Sequence, residues 1–470
     1  MSDVQLVIYA VVIVLWLSYL PVAIIQLKGW VRNRKIYFNS NLTRVHNDPF
    51  IIFQIMTRSA KSSDVVKRGI ESIHASCKKI SYTDYSICVV TEDPRDTTYV
   101  SGARVLVVPK GYKTRNGAIR KARALQYAVE RRRIDERGSE VKARDRWIFH
   151  LDEESVVTTQ TLLSLLAFIR DGRGLIAEGP IAYPLKIRQS NRLTFLAESV
   201  RPFQCYDCVS HMTHPPPMYM HGSNLFVRAD VEDKVGWDHG TSVAEDQLFG
   251  VKVHERYGNI FGWHGGMLLE QPPLNLLDHF KQRRRWVIGT LQNLKYLPKK
   301  LKARIYLRAA TYWLGFLSAM ASIAMYVYYF SPYVILFFSR LLGINYKLPQ
   351  LASLPIATPQ SVSHTIQGGH FILTLESLYT ISFWQSVIST VFGACLLLAL
   401  GIWITSYQVG LRQNLKFASD LSLPRKAFFH LQQLVLCPII GIVETFPAFY
   451  AVLEFHLFGH NIKDFEVITK

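Results

Sequence analysis

Three short clusters carry side chains able to do chemistry: LDEES around Asp152, AEDQLF around Asp246 and QRRRW at 282–286. Asp152, Glu153 and Glu154 follow the apolar run WIFHL. Alternate acids at a strand end reach one divalent cation; carboxylate oxygen suits a hard ion such as Mg²⁺ or Mn²⁺, whose other positions take phosphate. A nucleotide diphosphate is the ligand class this implies. The same acids also suit the first turn of a helix, because the TTQTLLSLLAFI that follows reads as one. Glu245 and Asp246 precede the amphipathic QLFGVKVHERYG. Asp246 is the candidate base that takes a proton from an attacking hydroxyl, a role worth roughly 10²–10⁴ in rate. Capping of the following helix is the plainer reading of the same pair. In QRRRW, guanidinium forks match pyrophosphate oxygens, and the Trp286 indole can stack on a sugar face. Arginines that merely touch lipid phosphates would leave Gln282 and Trp286 unexplained.

Weaker signals surround these three. Asp93, closing ICVVTED, can accept hydrogen bonds from a nucleobase, and Lys121 can reach a diphosphate. Lys113, Arg115 and Arg120 stand near Lys121, and each of these charges equally suits a solvated surface. Cys205, Cys208, His211 and His214 have ligand-type side chains at regular spacing. A three-residue interval throughout is not a zinc-finger geometry, and HPPPM breaks a helix, so a substrate-side loop is expected there.

The elements that must position these groups are legible as a rhythm. FIIFQIM (50–56), YSICVV (85–90), RVLVV (104–108) and WIFHL (147–151) are continuous enough for strands buried on both faces. Between them lie amphipathic stretches at Asp64–Cys77 and Lys121–Arg132. This alternation predicts βαβ units and a parallel sheet, with function at the carboxyl ends of the strands. Thr57, Glu92, Asp93 and Asp152 to Glu154 fall at those ends.

Of the 470 residues, 49% are apolar, ample for a core, but they are unevenly spread. Val4–Leu27 can span a hydrocarbon layer that takes about 20 helical residues, and its flanks do not resemble a cleaved signal. It reads as a retained first span. Leu307–Phe330 and Phe383–Tyr407 read as further spans, and Ala427–Leu457 as another broken by Pro438 and Pro447. Gly343–Ile381, with Lys347 its only Lys or Arg, reads as the far-side loop. The net charge of +19 sits largely beside the apolar segments; nine Lys/Arg fall between Lys281 and Arg304. That is positive-inside patterning, with a lipid bilayer and phosphates as counter-charges and no nucleic acid as partner. Six cysteines in this length do not form a disulfide framework, and a cytosol-facing domain fits best.

TED (91–93), KARAL (121–125), LDEE (151–154), HGSN (221–224), AEDQ (244–247) and QRRRW (282–286) in this order resemble the membrane-integrated inverting glycosyltransferases of family two. That family includes cellulose, chitin and hyaluronan synthases. The similarity covers roughly residues 50–300 and is strongest to the Egghead-type β-1,4-mannosyltransferases, through VVPKGYKTRNGAIRKARALQYAVE, HLDEES, SVAEDQLFG and PLNLLDHFKQRRRWVIG. The resemblance implies an α/β GT-A-like (Rossmann-like) catalytic domain plus an α-helical transmembrane region. The division it suggests is 1–35 for a first transmembrane helix with its basic flank, 36–305 for the cytosolic domain with an interfacial basic helix, and 306–470 for further transmembrane helices and a tail.

It further implies a nucleotide-sugar site at Asp93, Lys121, Asp152, Glu153 and Arg285, with Mg²⁺ or Mn²⁺ on Asp152 and Glu154. Asp246 would be the base. Gly222, Asn224, Glu245, Gln282 and Trp286 would meet the acceptor. The donor implied is GDP-mannose and the acceptor a glycolipid such as glucosylceramide, in an endoplasmic reticulum or Golgi membrane. Two departures stand out. Glu154 replaces the usual aspartate, lengthening the arm, and the terminal FEVITK is similar to the mobile FxVTxK segment of the polymer synthases with shifted spacing. If Thr469 and Lys470 swing over the site, four simple spans leave them on the wrong side, so Ala427–Leu457 is expected to be a hairpin or partly interfacial. A processive polysaccharide synthase using a UDP-sugar is the nearer alternative, and a non-catalytic membrane scaffold the farther one.

Overall fold

Apolar runs of the first half pair as buried strands because both faces are covered, one by each of two hydrophobic clusters. The computed structural model describes residues 3–37, 49–58, 63–98, 102–135, 145–341 and 371–458. Helix α1 (Asp3–Asn33) leads into β1 (Phe50–Met56), α2 (Ser63–Lys79), β2 (Tyr85–Thr91), β3 (Ala103–Val107), α3 (Arg120–Asp135) and β4 (Arg146–Asp152). In α2, Val66, Ile70, Ile73 and Cys77 recur every three or four residues and are all buried, the stripe expected of a helix laid on a sheet.

The chain continues through α4 (Thr159–Arg170), β5 (Ile176–Glu178), β6 (Ile181–Ala182), α5 (Arg192–Glu198), α6 (Arg201–Thr213), β7 (Leu225–Arg228), α7 (Ala229–Val235) and α8 (Glu245–Tyr257). Strands β8 (Phe261–Trp263) and β9 (Leu268–Leu269) follow. Seven strands form one mixed sheet in the order β3-β2-β1-β4-β7-β5-β8, and β7 runs antiparallel to both of its neighbours. This is the α/β, GT-A-like arrangement expected from the sequence. Met56 pairs with Val90 on one side and Asp152 on the other, so β1, β2 and β4 deliver Thr57, Glu92 and Asp152 to one edge.

A buried ionic network ties α3 to α7 beneath that edge. Arg132 reaches Glu232 and Asp233, each at 2.6 Å, and His150 lies 2.9 Å from the other oxygen of Glu232. Burial alone would raise the Glu232 carboxyl; Arg132 and His150 outweigh it and hold the group down to about 2. The Trp237 indole donates to the same carboxylate at 2.7 Å, leaving it well satisfied.

Helix α9 (Leu276–Gln292) starts at Asn275, whose side chain accepts from the Asp278 backbone N–H at 2.8 Å. Beyond it come α10 (Lys299–Leu341), α11 (Phe371–Phe417), α12 (Leu423–Val435) and α13 (Cys437–Phe458). Among the described residues, Val11–Asn33, Ala394–Phe417 and Cys437–Phe458 are long and apolar enough to cross a membrane. Trp16 of α1 donates to Ser322 of α10 at 3.0 Å and meets Trp403 of α11 edge-on at 5.5 Å. The Ala427–Leu457 segment is not one helix: it divides at Leu436 into α12 and α13, with Pro438 in the first turn of the second, where proline is tolerated. Most of Gly343–Ile381, read above as a loop, lies outside the described residues, as do Thr469 and Lys470. Its last part differs from expectation. Phe371–Ile381 opens α11, because every proline and glycine of the stretch precedes Phe371.

Replacing Arg132 with Ala would strand the Glu232 and Asp233 carboxylates in the interior. Losing one partner of a buried pair costs about 3–5 kcal/mol, so the melting temperature of detergent-purified protein should fall clearly, and an unchanged melting curve would refute this role. Since Glu232 titrates below its unfolded value, its stabilisation is complete above the ordinary carboxyl range and is lost as pH falls towards about 2.

Candidate active site

The edge formed by β1, β2 and β4 faces a cavity of about 760 Å³. Asp152 at the end of β4, Lys121 in the first turn of α3, Gly222 before β7, Asp246 in the first turn of α8, and Gln282, Arg285 and Trp286 on α9 all line it. These residues are distant in sequence and meet only here. Lys121 is the hub: its Nζ donates to Asp152 Oδ1 at 2.6 Å and to the Gly222 carbonyl at 3.0 Å. A Cβ on Gly222 would stand 2.9 Å from that Nζ and 3.1 Å from Asp246 Oδ2, so a side chain here would make the ammonium and the carboxylate give way.

Charge is concentrated in a partly enclosed space, where Lys121 and Asp152 keep 24% and 33% of their side-chain surface exposed. Burial pushes the Asp246 carboxyl up to about 7, Glu245 beside it adds to the rise, and Lys121 opposes both. The Gln247 backbone N–H, donating to Asp246 Oδ1 at 2.8 Å, fixes the carboxylate's direction. Glu245 is also raised, first by burial, with Lys121 and Arg285 pulling it back. Burial would lower Lys121, yet Asp152 and Glu245 hold it above its ordinary value, so it stays a cation. A carboxyl poised near neutrality suits general-base work.

Residues 147–405 match the profile described as glycosyl transferase family group 2, more than half of the chain. The chain belongs to this family. Among curated relatives, beta-1,4-mannosyltransferase egh of Drosophila melanogaster is 33% identical over 264 residues, covering 54% of this chain and 55% of that protein. Beta-1,4-mannosyltransferase bre-3 of Caenorhabditis elegans is 32% identical over 251 residues, 52% of each. The chain thus spans about half the length of the curated relatives it matches. The solved mannosyltransferase PcManGT from Pyrobaculum calidifontis, in complex with GDP-Man and Mn²⁺, covers 84% of this chain and 97% of its own. At 12% identity and a TM-score of 0.43, that likeness is too loose to bear on the site.

Within this family member the arginines of QRRRW divide their work. Arg284 grips Glu454 of α13 with two hydrogen bonds, at 2.6 and 2.5 Å. Arg283 is buried between Glu198 of α5 at 2.7 Å and Glu444 of α13 at 3.1 Å. Arg283 and Arg285 both line the cavity, and Arg285 acts on Glu245. Trp286 is covered by two guanidinium groups, Arg201 at 4.5 Å and Arg283 at 4.7 Å from its ring centre. Arg201, in ESVRPF, lines the cavity as well and was missed from sequence, where nothing marks a lone arginine before a proline.

Other expected site residues are placed less directly. Glu153 lines the cavity and accepts from the Thr57 hydroxyl at 2.7 Å. Glu154 also lines it but is only 3% exposed and lies in the field of Arg68. The Asp93 carboxylate is held by Arg95 at 2.7 Å and is not among the cavity-lining residues, whereas its neighbour Glu92 is. Asn224 is fully buried and donates to the Pro180 and Gly266 carbonyls at 2.8 and 3.1 Å. Its side chain braces the turn that presents Gly222, and it does not line the cavity. Residues 205–211 lie on helix α6, not in a loop; HPPPM ends that helix at Thr213. Cys208, His211 and His214 do face the cavity.

As donors, Asp152 and Glu154 fit Mg²⁺ or Mn²⁺ in kind, being hard oxygen ligands beside a space sized for phosphates. Lys121 stands on Asp152 Oδ1, so that oxygen is shared between the lysine and any ion.

Helix α9 is seated tightly against the segment bearing Asp246. A Cβ on Gly289 would meet the Ala244 Cβ and backbone nitrogen at 2.8 Å, and Asn293 donates to the Ala244 carbonyl at 2.9 Å. Gly289→Ala should therefore lower the melting temperature, by about 1–3 kcal/mol of overpacking, despite alanine's better helix propensity. Gly401→Ala, where nothing lies within 4 Å of the new methyl, should leave it unchanged or raise it. Equal behaviour of the two variants would overturn the close seating.

Proposed function

We propose that this protein is an inverting glycosyltransferase that moves mannose from GDP-mannose to a hydroxyl of a membrane glycolipid such as glucosylceramide, forming a β-1,4 linkage. The observation that carries this reading is the shared cavity. Asp152, Asp246 and Arg285 line one space, and the same space is bordered by Val22, Ile25 and Arg32 of α1, Arg304 and Arg308 of α10, and Ala448 of α13. A lipid-anchored acceptor could lay its sugar beside Asp246 while its chains remain among the apolar helices. Mannose and the β-1,4 linkage are supported by the names of the egh and bre-3 relatives; the glucosylated lipid rests on the family resemblance alone, and a UDP-sugar is the competing donor.

The chemistry follows from charge. The acceptor oxygen attacks the anomeric carbon, its proton passes to Asp246, and the bond from that carbon to the diphosphate oxygen breaks with its electron pair on the leaving group. Attack from the face opposite the diphosphate inverts the centre. Lys121 and Arg285 offer positive charge where the leaving group becomes more negative. When bound at Asp152 and Glu154, Mg²⁺ or Mn²⁺ supplies charge neutralisation for the diphosphate. Trp286 lines the same cavity with Arg201 and Arg283 stacked on its ring, so its indole would meet a sugar at the ring edge or only where a guanidinium moves aside. The basic residues around α9 and α10 support a cytosol-facing catalytic face by the positive-inside pattern, and an endoplasmic reticulum or Golgi membrane is the compartment this reading proposes.

Incubation of purified protein with radiolabelled GDP-mannose or UDP-glucose and glucosylceramide tests the reading. One labelled mannose per lipid is expected. Label only from UDP-glucose would overturn the donor, and long chains would indicate a processive synthase. Asp246→Asn should lower transfer by about 10²–10⁴ with GDP-mannose binding retained, and activity near wild type would remove Asp246 as the base. Because the working form is the carboxylate, kcat/KM should climb with pH up to about 7 and then level off. A profile flat from pH 5 to 8 would contradict the burial-driven shift.

A further inference from the structure

Cys205 and Cys208 sit three residues apart on α6, so both side chains leave one face of the helix. His221, from the loop before β7, folds over that face. The two sulfurs and a ring nitrogen of His221 all lie within 4.8 Å of one another, and Cys208 Sγ is 3.4 Å from His221 Nε2. Around a tetrahedral zinc ion, with bonds of about 2.3 Å to sulfur and 2.0 Å to nitrogen, that edge would be about 3.5 Å. The Cys208–His221 edge already has that length, and the other two separations are at most 4.8 Å.

Glu178 stands behind the imidazole. It is fully buried, one of its oxygens accepts the His221 backbone N–H, and the other lies 3.9 Å from His221 Nδ1. Burial holds the Glu178 carboxyl well above its ordinary range, and 3.9 Å is beyond hydrogen-bond distance, so Glu178 anchors the loop through the His221 backbone N–H. Cys208 and His221 line the cavity and Cys205 is buried behind them, yet the transfer chemistry uses none of the three.

The geometry points to a transition-metal site of the zinc class at Cys205, Cys208 and His221, with its fourth position facing the cavity. On binding, each thiol gives its proton to solvent, the His221 Nε2 lone pair enters the coordination shell, and Nδ1 keeps its proton. No group is oxidised or reduced. Sulfur and nitrogen donors separate this site from the oxygen ligands at Asp152 and Glu154, which select harder ions. The ion would tie α6 to the loop whose next residue is Gly222, fixing the wall opposite Asp246.

Cobalt(II) titration of full-length protein, purified in detergent with its thiols assayed as reduced, tests the site. One equivalent per chain should develop a sulfur-to-cobalt charge-transfer absorption, which cobalt on carboxylates alone cannot give. Cys208→Ser should lose the band, while Cys395→Ser and Asp152→Asn keep it. A wild-type protein with free thiols and no such band, or a band of full intensity in both Cys208→Ser and His221→Ala, would overturn the proposal.

Discussion

Three carboxylates, Asp152, Glu245 and Asp246, share one cavity, and the arrangement is tenable because Lys121 stands among them. Without a cation there, mutual repulsion and burial would drive protons onto these groups, since a charge that cannot be solvated is removed by a shift in its equilibrium. Lys121 holds Asp152 directly and the Gly222 carbonyl from the same ammonium, so charge balance and the shape of the acceptor-side turn are one interaction. Further cations, Arg201 and Arg285, line the walls of the same cavity and add to the positive charge of this lysine.

A second constraint joins the site to the apolar helices. Arg283 and Arg284 project from the site helix α9 into acidic residues of α13, and Arg283 also reaches Glu198 of α5, where His279 binds the other oxygen at 2.8 Å. Burial would raise the Glu198 carboxyl, but Arg283 and His279 hold it down to about 2. Charges paired this deeply give little net stability, yet they penalise any displacement that separates the partners. The helix that lines the cavity is therefore fixed to its neighbours by directional contacts as well as by apolar packing.

Much of this was legible in the chain because local patterns carry it. FIIFQIM, YSICVV, RVLVV and WIFHL are strands where expected, as continuous apolar runs can be satisfied only between two covered faces. LDEES, AEDQLF and QRRRW drew attention because acidic and basic residues beside apolar runs are hard to explain by packing. Other parts were not legible. That Asn224 is buried and donates to the Pro180 and Gly266 carbonyls, and that Asp93 pairs with the exposed Arg95 two residues away, could not be read from the chain. Nothing in a residue's type tells which way a turn will aim its side chain. His211 and His214 had the spacing of ligands, whereas His221, ten residues beyond His211, is the imidazole that meets the cysteines.

Sequence by itself determined the strand and helix periodicity, the apolar segments and the residue types available for chemistry, since these depend on neighbours along the chain. Tertiary structure alone decided which charges meet. Whether an arginine of QRRRW faces the cavity or a glutamate of α13, and whether Asp246 titrates near 3.8 or is pushed to about 7, depends on burial and on groups more than a hundred residues away. Electrostatic energy is set by separation in space and by excluded water, and neither is written in the order of residues.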